Sequence, residues 1–270
     1  MDTGGKGKTV REEERLDVAV VARGITESRS KAQSLIRAGS IAVNKTVQTK
    51  AGFPVRPEDE VYLIGEKMPY VSRGGLKLEA ALRAFSPDVN GKCCLDVGAS
   101  TGGFTDCLLQ NGAKCVCAMD VGHGQLHRML REDPRVQSLE GKNIRDFTPE
   151  EIGYLPDFVC CDVSFISLTA VLPAVSRCMP QGGECVLLIK PQFEAGKKNV
   201  GKNGIVRDRK VHTETVLRVL EACRSVGIAP LGLCRSPITG GDGNTEYLLY
   251  GKKQETPSPV IDVKTIVERG

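Results

Sequence analysis

The chain has 270 residues, 40% of them apolar, and a formal net charge of +4. That is enough for one large domain or two smaller ones with real cores, and too little charge for the sum alone to name a partner. Eleven cysteines, with no signal-peptide pattern and no C-x-x-C pair, argue against a disulfide scaffold and a structural zinc site, and no apolar run approaches the roughly 18–20 residues that span a bilayer.

A cytoplasmic protein with reduced thiols, no metal and no membrane segment is therefore expected. Residues 1–14 are polar and Gly/Lys-rich and read as a flexible tail. Leu16, Ala19 and Val20 predict a helix over Arg15–Arg23, closed by Gly24. Ser28 is the natural N-cap of a second helix that buries Ala32, Leu35 and Ile36 and ends at Gly39. Ile41–Val43 and Val61–Ile64 read as short strands. Between Arg23 and Lys50 the cations Arg23, Arg29, Lys31, Arg37, Lys45 and Lys50 face one acid, Glu27. Such a face suits a phosphate backbone; an ordinary solvated face is the alternative.

Glu66–Ser72, with Pro69, reads as a linker, and Arg73 opens a helix through Phe85. Strands and helices then alternate. Strands are predicted at Cys93–Val97, Lys114–Asp120, Val136–Leu139, Phe158–Asp162, Glu184–Lys190, Ala229–Leu233 and Thr245–Tyr250. Helices are predicted near Thr105–Asn111, Gln125–Arg131, Leu168–Met179 and Lys210–Val226. This alternation builds a parallel sheet covered on both faces, with ligands at the C-terminal strand ends. Glu194–Asp208 is Gly/Lys-rich, has no periodicity and is long for a bare loop, which suggests a lid. Pro257 and Pro259 mark a spacer before a short helix over Ile261–Glu268.

The stretch Leu95–Phe104 is strand, glycine turn and helix start. Its glycines run G-x-x-x-G-G, unlike the dinucleotide pattern, and no Gly-Lys-Ser/Thr follows. The spacing suits S-adenosylmethionine, with Asp96 available to an ammonium and the turn to a carboxylate; a plain strand-to-helix turn is the other reading. Asp120 ends the next strand and is placed for a cofactor ribose, or is a surface acid. Asn143 meets adenine or serves its loop. Lys190 follows a buried apolar run, where a lysine is costly unless paired. Asp162 and Glu246 are possible partners, and a buried lysine can serve as a base; snorkelling to solvent is the alternative.

Arg15-Leu16-Asp17, Gly24, Ser28-Arg29-Ser30-Lys31-Ala32, Leu35-Ile36, Gly39 and Val43-Asn44 together resemble the S4-type RNA-binding domain. That resemblance implies RNA contacts from Arg29, Lys31, Arg37 and Lys45; Arg23, Arg73, Lys197, Lys198 and Lys202 complete the candidate surface. Ser72–Leu78, Leu95–Phe104, Asp120–Leu126, Asp162–Leu168, Lys190–Glu194 and Gly243–Tyr247 resemble the TlyA family, once labelled haemolysins and understood as ribosomal RNA 2′-O-methyltransferases. The same region is similar to the FtsJ family, whose Lys-Asp-Lys-Glu tetrad falls here on Lys77, Asp162, Lys190 and Glu246. The implied fold is a Rossmann-like class I methyltransferase sheet of seven mostly parallel strands with a small N-terminal α+β S4-like domain. The implied domains are a tail (1–14), an S4-like domain (15–65), a linker (66–72), a methyltransferase domain (73–253) and an extension (254–270).

S-adenosylmethionine would be held by Asp96, Gly98, Ala99, Ser100, Thr101, Gly102, Gly103 and Phe104, with Asp120, Asn143 and Asp162. The implied substrate is cytidine ribose in 16S and 23S ribosomal RNA within ribosomal subunits, both being expected because a tail and an extension go with dual activity. No obligate protein partner is expected. A pore-forming haemolysin, a small-molecule methyltransferase and a non-catalytic RNA-binding protein are the competing readings.

Overall fold

Two units divide the chain between Pro69 and Tyr70. The computed structural model describes residues 13–64, 68–240, 243–254 and 258–269. Most of the expected tail, residue 65 of the expected S4-like domain, two residues of the expected linker (66–67), 241–242 of the expected methyltransferase domain, and 255–257 and 270 of the extension lie outside them.

In the first unit β1 (Glu14–Arg15) leads into α1 (Leu16–Ala22) and α2 (Arg29–Arg37). Ser28 caps α2 by accepting a hydrogen bond from Lys31 N, as its position predicts. The strands β2 (Ile41–Val43), β3 (Thr46–Gln48), β4 (Pro54–Val55) and β5 (Val61–Leu63) follow. β3, β2 and β5 form an antiparallel sheet in that order, and β1 pairs with β4. The β2–β3 hairpin turns on Asn44 and Lys45, both at positive φ (49° and 69°). It was not foreseen because no glycine marks it. Leu16, Ala19, Val20, Ala32, Ile36 and Ile41 are wholly buried against one another.

One fully buried acid organises this unit. Asp17 accepts from Arg15 Nε (3.0 Å), Arg29 Nη2 (2.9 Å) and Gln33 Nε2 (2.8 Å). The Arg15 hydrogen bond, with Gln33 and Arg29, holds its carboxyl well below the usual carboxylate range although burial opposes the shift.

In the second unit α3 (Gly74–Phe85) precedes β6 (Cys93–Val97), α4 (Gly103–Gln110), β7 (Cys115–Asp120), α5 (Arg128–Arg131), β8 (Val136–Glu140), β9 (Phe158–Cys161) and α6 (Leu168–Arg177). Then come β10 (Glu184–Ile189), α7 (Pro191–Glu194), α8 (Arg209–Ser225), β11 (Ile228–Arg235), β12 (Tyr247–Lys253) and α9 (Val263–Glu268). The seven strands β6–β12 form one sheet in the order β11-β12-β10-β9-β6-β7-β8, with β12 antiparallel to both neighbours and the other pairings parallel. Side chains alternate across it. Leu95, Val97, Leu187 and Ile189 pack with α6, α8 and α9, whereas Cys94, Cys160, Val186 and Leu188 pack with α3 and α4. Most cysteines fill these layers, and burial pushes a thiol such as Cys117 up to about 12.

Several element bounds differ from those expected. The Gln125–Arg131 helix shortens to Arg128–Arg131, and the Glu140 carboxylate accepts the backbone N–H groups of Gly124, Gln125 and Leu126 in the loop before it. The last strand begins at Tyr247 rather than Thr245. The Glu194–Asp208 stretch is not a bare loop: it carries short 3₁₀ turns at Lys197–Asn199 and Lys202–Gly204. It is tied down where Asn244 accepts from Val206 N (3.0 Å) and donates to Gly204 O (2.9 Å).

Because the folded Asp17 carboxyl titrates below its unfolded value of about 3.9, its stabilisation is complete above that pH and is lost as pH falls through the folded value. Asp17→Asn is expected to speed hydrogen exchange in α1 and α2 by about tenfold at neutral pH, the scale of one charge-assisted hydrogen bond. It should also flatten the acid dependence of that exchange, which residue-resolved mass spectrometry on the full chain checks.

Candidate active site

The C-terminal ends of β6, β7, β9 and β10 converge on two adjoining cavities of about 470 and 320 Å³. Gly98, Ser100, Asp162 and Ser164 wall both. Gly98 sits at φ +82°, and a Cβ there would stand 2.5 Å from the Asp162 carbonyl oxygen, so only glycine lets the turn after β6 pass the end of β9. The turn is pinned by Gly98 N and Ala99 N, each donating to Met119 O at 2.9 Å.

The larger cavity opens between the turn and the ends of β7 and β8, with Asp120, Gln125, Asn143, Ile144 and Val163 on its wall. Asp120 accepts from Ser100 N (2.8 Å) and Gly122 N (2.7 Å), which fixes its carboxylate at the rim. Asn143 does two things: its side chain caps the short 3₁₀ turn Ile144–Asp146 and it lines the cavity. Ala99, Thr101, Gly103 and Phe104 line the smaller cavity instead. Gly102 reaches neither, its positive φ serving the turn beneath Leu126 and Leu130.

Asp96 stands apart from the other residues expected around the donor. It is wholly buried and touches neither cavity. Alternation along β6 puts it on the side of Cys94, toward α4, where it accepts from Thr105 Oγ1 (2.6 Å) and lies 3.5 Å from Cys160 Sγ. Burial pushes its carboxyl up to about 7. It supports the start of α4 through Thr105.

The smaller cavity holds an alternating chain of charges. Lys190 Nζ lies 2.5 Å from Asp162 Oδ1, Asp162 Oδ2 lies 3.8 Å from Lys77 Nζ, and Lys77 Nζ lies 2.6 Å from Glu246 Oε2. Lys77, Lys190 and Glu246 are buried. The Lys190–Asp162 contact is a close ion pair rather than an aligned hydrogen bond, and Lys190 also donates to Ser164 Oγ at 2.8 Å. Gln192 Nε2 donates to the other oxygen of Glu246 at 3.3 Å. Two ammonium and two carboxylate groups side by side leave no net charge to desolvate.

Two residues the sequence reading passed over hold this arrangement. Ser164 is the second partner of Lys190. Glu194, buried, accepts from Leu168 N and from Ser167 Oγ (2.6 Å), tying the turn that begins at Lys190 to the loop that begins at Asp162. Both lie in stretches carrying the family resemblance, but only the three-dimensional contacts assign them work.

The candidate RNA residues separate. Arg29 is bound to Asp17, and Arg23 donates to Asp59 O and Arg56 O, so both serve the first unit's own fold. Lys31, Arg37 and Lys45 are exposed on that unit. In the second unit Lys197, Lys198 and Lys202 are exposed, and Arg73 donates to Thr239 O (2.8 Å) at the wall of the smaller cavity.

The FtsJ-like methyltransferase family matches residues 70–253 and the S4 domain residues 14–61. The 16S/23S rRNA (cytidine-2′-O)-methyltransferase TlyA of Mycobacterium tuberculosis is 44% identical over 241 residues, 89% of this chain and 90% of the relative. Hemolysin A of Brachyspira hyodysenteriae is 43% identical over 87% of this chain and 98% of its own. The 23S rRNA (cytidine-2′-O)-methyltransferase TlyA of Campylobacter jejuni is 35% identical over 85% and 96%. A solved structure from Streptococcus thermophilus bearing the hemolysin name is 43% identical, with a TM-score of 0.78 over 96% of each chain.

Removing one carboxylate from the charge chain leaves two buried lysines with one acid. Glu246→Ala is expected to destabilise the second unit by about 3–5 kcal/mol. The pair Lys77→Met with Glu246→Leu should recover most of that loss, as measured by denaturant unfolding of the full chain.

Proposed function

Since the chain belongs to the family of FtsJ-like methyltransferases and carries an S4 domain, we propose that it methylates the ribose 2′-hydroxyl of cytidine in ribosomal RNA. S-adenosylmethionine is the methyl donor, and the protein works in the cytoplasm on ribosomal subunits. The observation that carries this reading is the Lys190–Asp162–Lys77–Glu246 chain on the wall of a cavity that shares Gly98 and Ser100 with a second, larger one. One cavity suits the nucleoside half of the donor and the other the meeting point of methyl and ribose hydroxyl.

The residues present fit the donor. The turn at Gly98 leaves a cradle that a Cβ would fill, and Asp120 presents acceptor oxygens to ribose hydroxyls at the rim of the larger cavity. When bound, S-adenosylmethionine supplies a methyl group already activated by its sulfonium charge. What remains is for the protein to orient a poor nucleophile and take its proton. Lys190 does this. Nζ first gives up one of its own protons to solvent; the hydroxyl proton then passes to its lone pair while the oxygen forms its bond to the methyl carbon, and the electron pair of the broken carbon–sulfur bond stays on sulfur. Asp162 holds Lys190 and offsets its charge, Lys77 balances Asp162 and Glu246, and Glu246 anchors Lys77.

The first unit supplies affinity, with Lys31, Arg37 and Lys45 meeting phosphates. Lys197, Lys198, Lys202 and Arg73 add contacts near the cavities. Identity of 44% with the relative named for both 16S and 23S rRNA supports both as substrates. The hemolysin name of one relative favours a pore-former, but no described helix is long and apolar enough to cross a membrane, and a pore has no use for a buried, charge-balanced tetrad.

Lys190→Ala is expected to slow single-turnover methyl transfer to ribosomal subunits by about 100- to 10,000-fold, the usual worth of a general base, with cofactor and RNA binding retained. Near-normal turnover would take the lysine out of the chemistry. Lys190→Arg should not rescue, since arginine stays protonated and has another shape.

Gly98→Ala should abolish binding of S-adenosylhomocysteine in calorimetry, because both the positive φ and the Asp162 carbonyl reject a methyl group. Unchanged affinity would remove the turn from the cofactor site.

A further inference from the structure

We infer that Ser164 is a positioning residue for methyl transfer: beside the Asp162 ion pair, its hydroxyl takes up one direction of the Lys190 nitrogen and so fixes how that nitrogen faces the smaller cavity. The inference rests on the reading of Lys190 as the group that addresses the ribose hydroxyl.

A lysine nitrogen is tetrahedral, and one direction is its own Cε. Ser164 Oγ at 2.8 Å takes up a second through a hydrogen bond, while Asp162 Oδ1 lies 2.5 Å away as an ion pair without hydrogen-bond alignment. Among the described residues Lys190 has no further hydrogen-bond partner; the Phe193 ring centroid lies 5.8 Å from Nζ, too far to accept one. The side chain is 9% exposed, and Lys190, Asp162 and Ser164 all line the same cavity. The directions that the serine does not take are therefore the ones open to a ligand. The Asp162 ion pair holds the nitrogen near its carboxylate but, lacking hydrogen-bond alignment, would leave it free to turn about the Cε–Nζ bond, spreading the lone pair of the amine or the hydrogens of the ammonium over a circle. The serine oxygen stops that rotation.

The placement of Ser164 is itself secured. It sits between Asp162, whose N–H donates to Val97 O (2.9 Å), and Phe165, which adopts a positive φ of 63°. Beyond them the loop is closed by Glu194, which accepts from Leu168 N and Ser167 Oγ. Glu194 ends the short helix that starts just after Lys190. The loop carrying the serine and the turn carrying the lysine are thus joined at both ends. Ser164 is otherwise exposed and absent from the apolar clusters, so its hydroxyl has no packing duty.

The test is single-turnover methyl transfer to ribosomal subunits with Ser164→Ala, Ser164→Thr, Lys190→Ala and the double variant Ser164→Ala/Lys190→Ala. Binding of S-adenosylhomocysteine and of subunits is measured alongside. Ser164→Ala is expected to slow transfer about tenfold or more, on the scale of a modest misplacement of a reacting group, with both affinities within about twofold of wild type. Ser164→Thr should restore most of the rate, because it keeps the oxygen. Removing the serine in the Lys190→Ala background should cost nothing further, because there is no nitrogen left to aim. Wild-type turnover by Ser164→Ala beside a crippled Lys190→Ala overturns the serine's role alone. A full second loss in the double variant, or failure of threonine to rescue, also overturns it. Wild-type turnover by Lys190→Ala instead overturns the reading of the lysine, and this inference with it.

Discussion

Two lysines and two carboxylates buried together can be stable only if their charges alternate. A lysine beside a lysine, or an acid beside an acid, would repel strongly in a medium less polarisable than water. The order Lys190, Asp162, Lys77, Glu246 meets this requirement, and much of the second unit exists to bring the four groups to one place. They come from four separate points in the chain. Asp162 follows β9 and Lys190 follows β10, so two adjacent parallel strands deliver them to the same edge. Glu246 precedes β12, and β12 runs antiparallel to β10. The reversal of that one strand puts its beginning where its neighbours end. Lys77 comes from α3, which packs on the same layer as the strand residues facing α3 and α4.

The glycine turn is bound to this arrangement by contact. Gly98 passes so close to the Asp162 backbone that even a Cβ would not fit between the turn and the residue that carries part of the charge chain. A shift of β6 relative to β9 would alter both at once. The two strands are adjacent in the sheet, and Asp162 N donates to Val97 O at 2.9 Å. Asp96 underlies the same turn from within, held by Thr105 and beside Cys160. A site assembled at strand ends is only as well defined as the register of those strands, and here the register is set by buried apolar alternation over both faces.

That alternation is also why so much was legible beforehand. Apolar runs bounded by glycine and polar residues marked every strand of the large sheet, and Ser28 marked a helix start by its own capping chemistry. What was not legible depended on partners distant in sequence. Asp96 reads as a ligand for an ammonium because it ends an apolar run beside a glycine turn; its hydrogen bond to Thr105, nine residues on, could not be read there. Gln125 looked helical, but it lies in the loop before the helix, its N–H held by Glu140, fifteen residues on. Ser164 and Glu194 carry no local signal at all, since what matters is that one meets Lys190 and the other the start of α6.

The first unit shows the same limit for charge. Counting cations from Arg23 to Lys50 treats them as equal, yet a guanidinium with its donors committed to the protein has fewer left for phosphate. Arg29 is held by a fully buried acid, and Arg23 by two backbone carbonyls. Reversing the charge of Arg29 would set one carboxylate against another, Asp17, and so disturb the fold before it reported on RNA. Lys31 and Lys45 are exposed and flexible ammonium groups, and Arg37 spends one donor on Gln33 O. The electrostatic footprint available to a nucleic acid is therefore narrower than the sequence count, with Lys31 and Arg37 on α2 and Lys45 on the β2–β3 turn. A positive φ at Lys45 keeps that turn tight and its ammonium at the tip. The same residue types thus divide between building the module and serving it, and the division follows from where a single acid is buried.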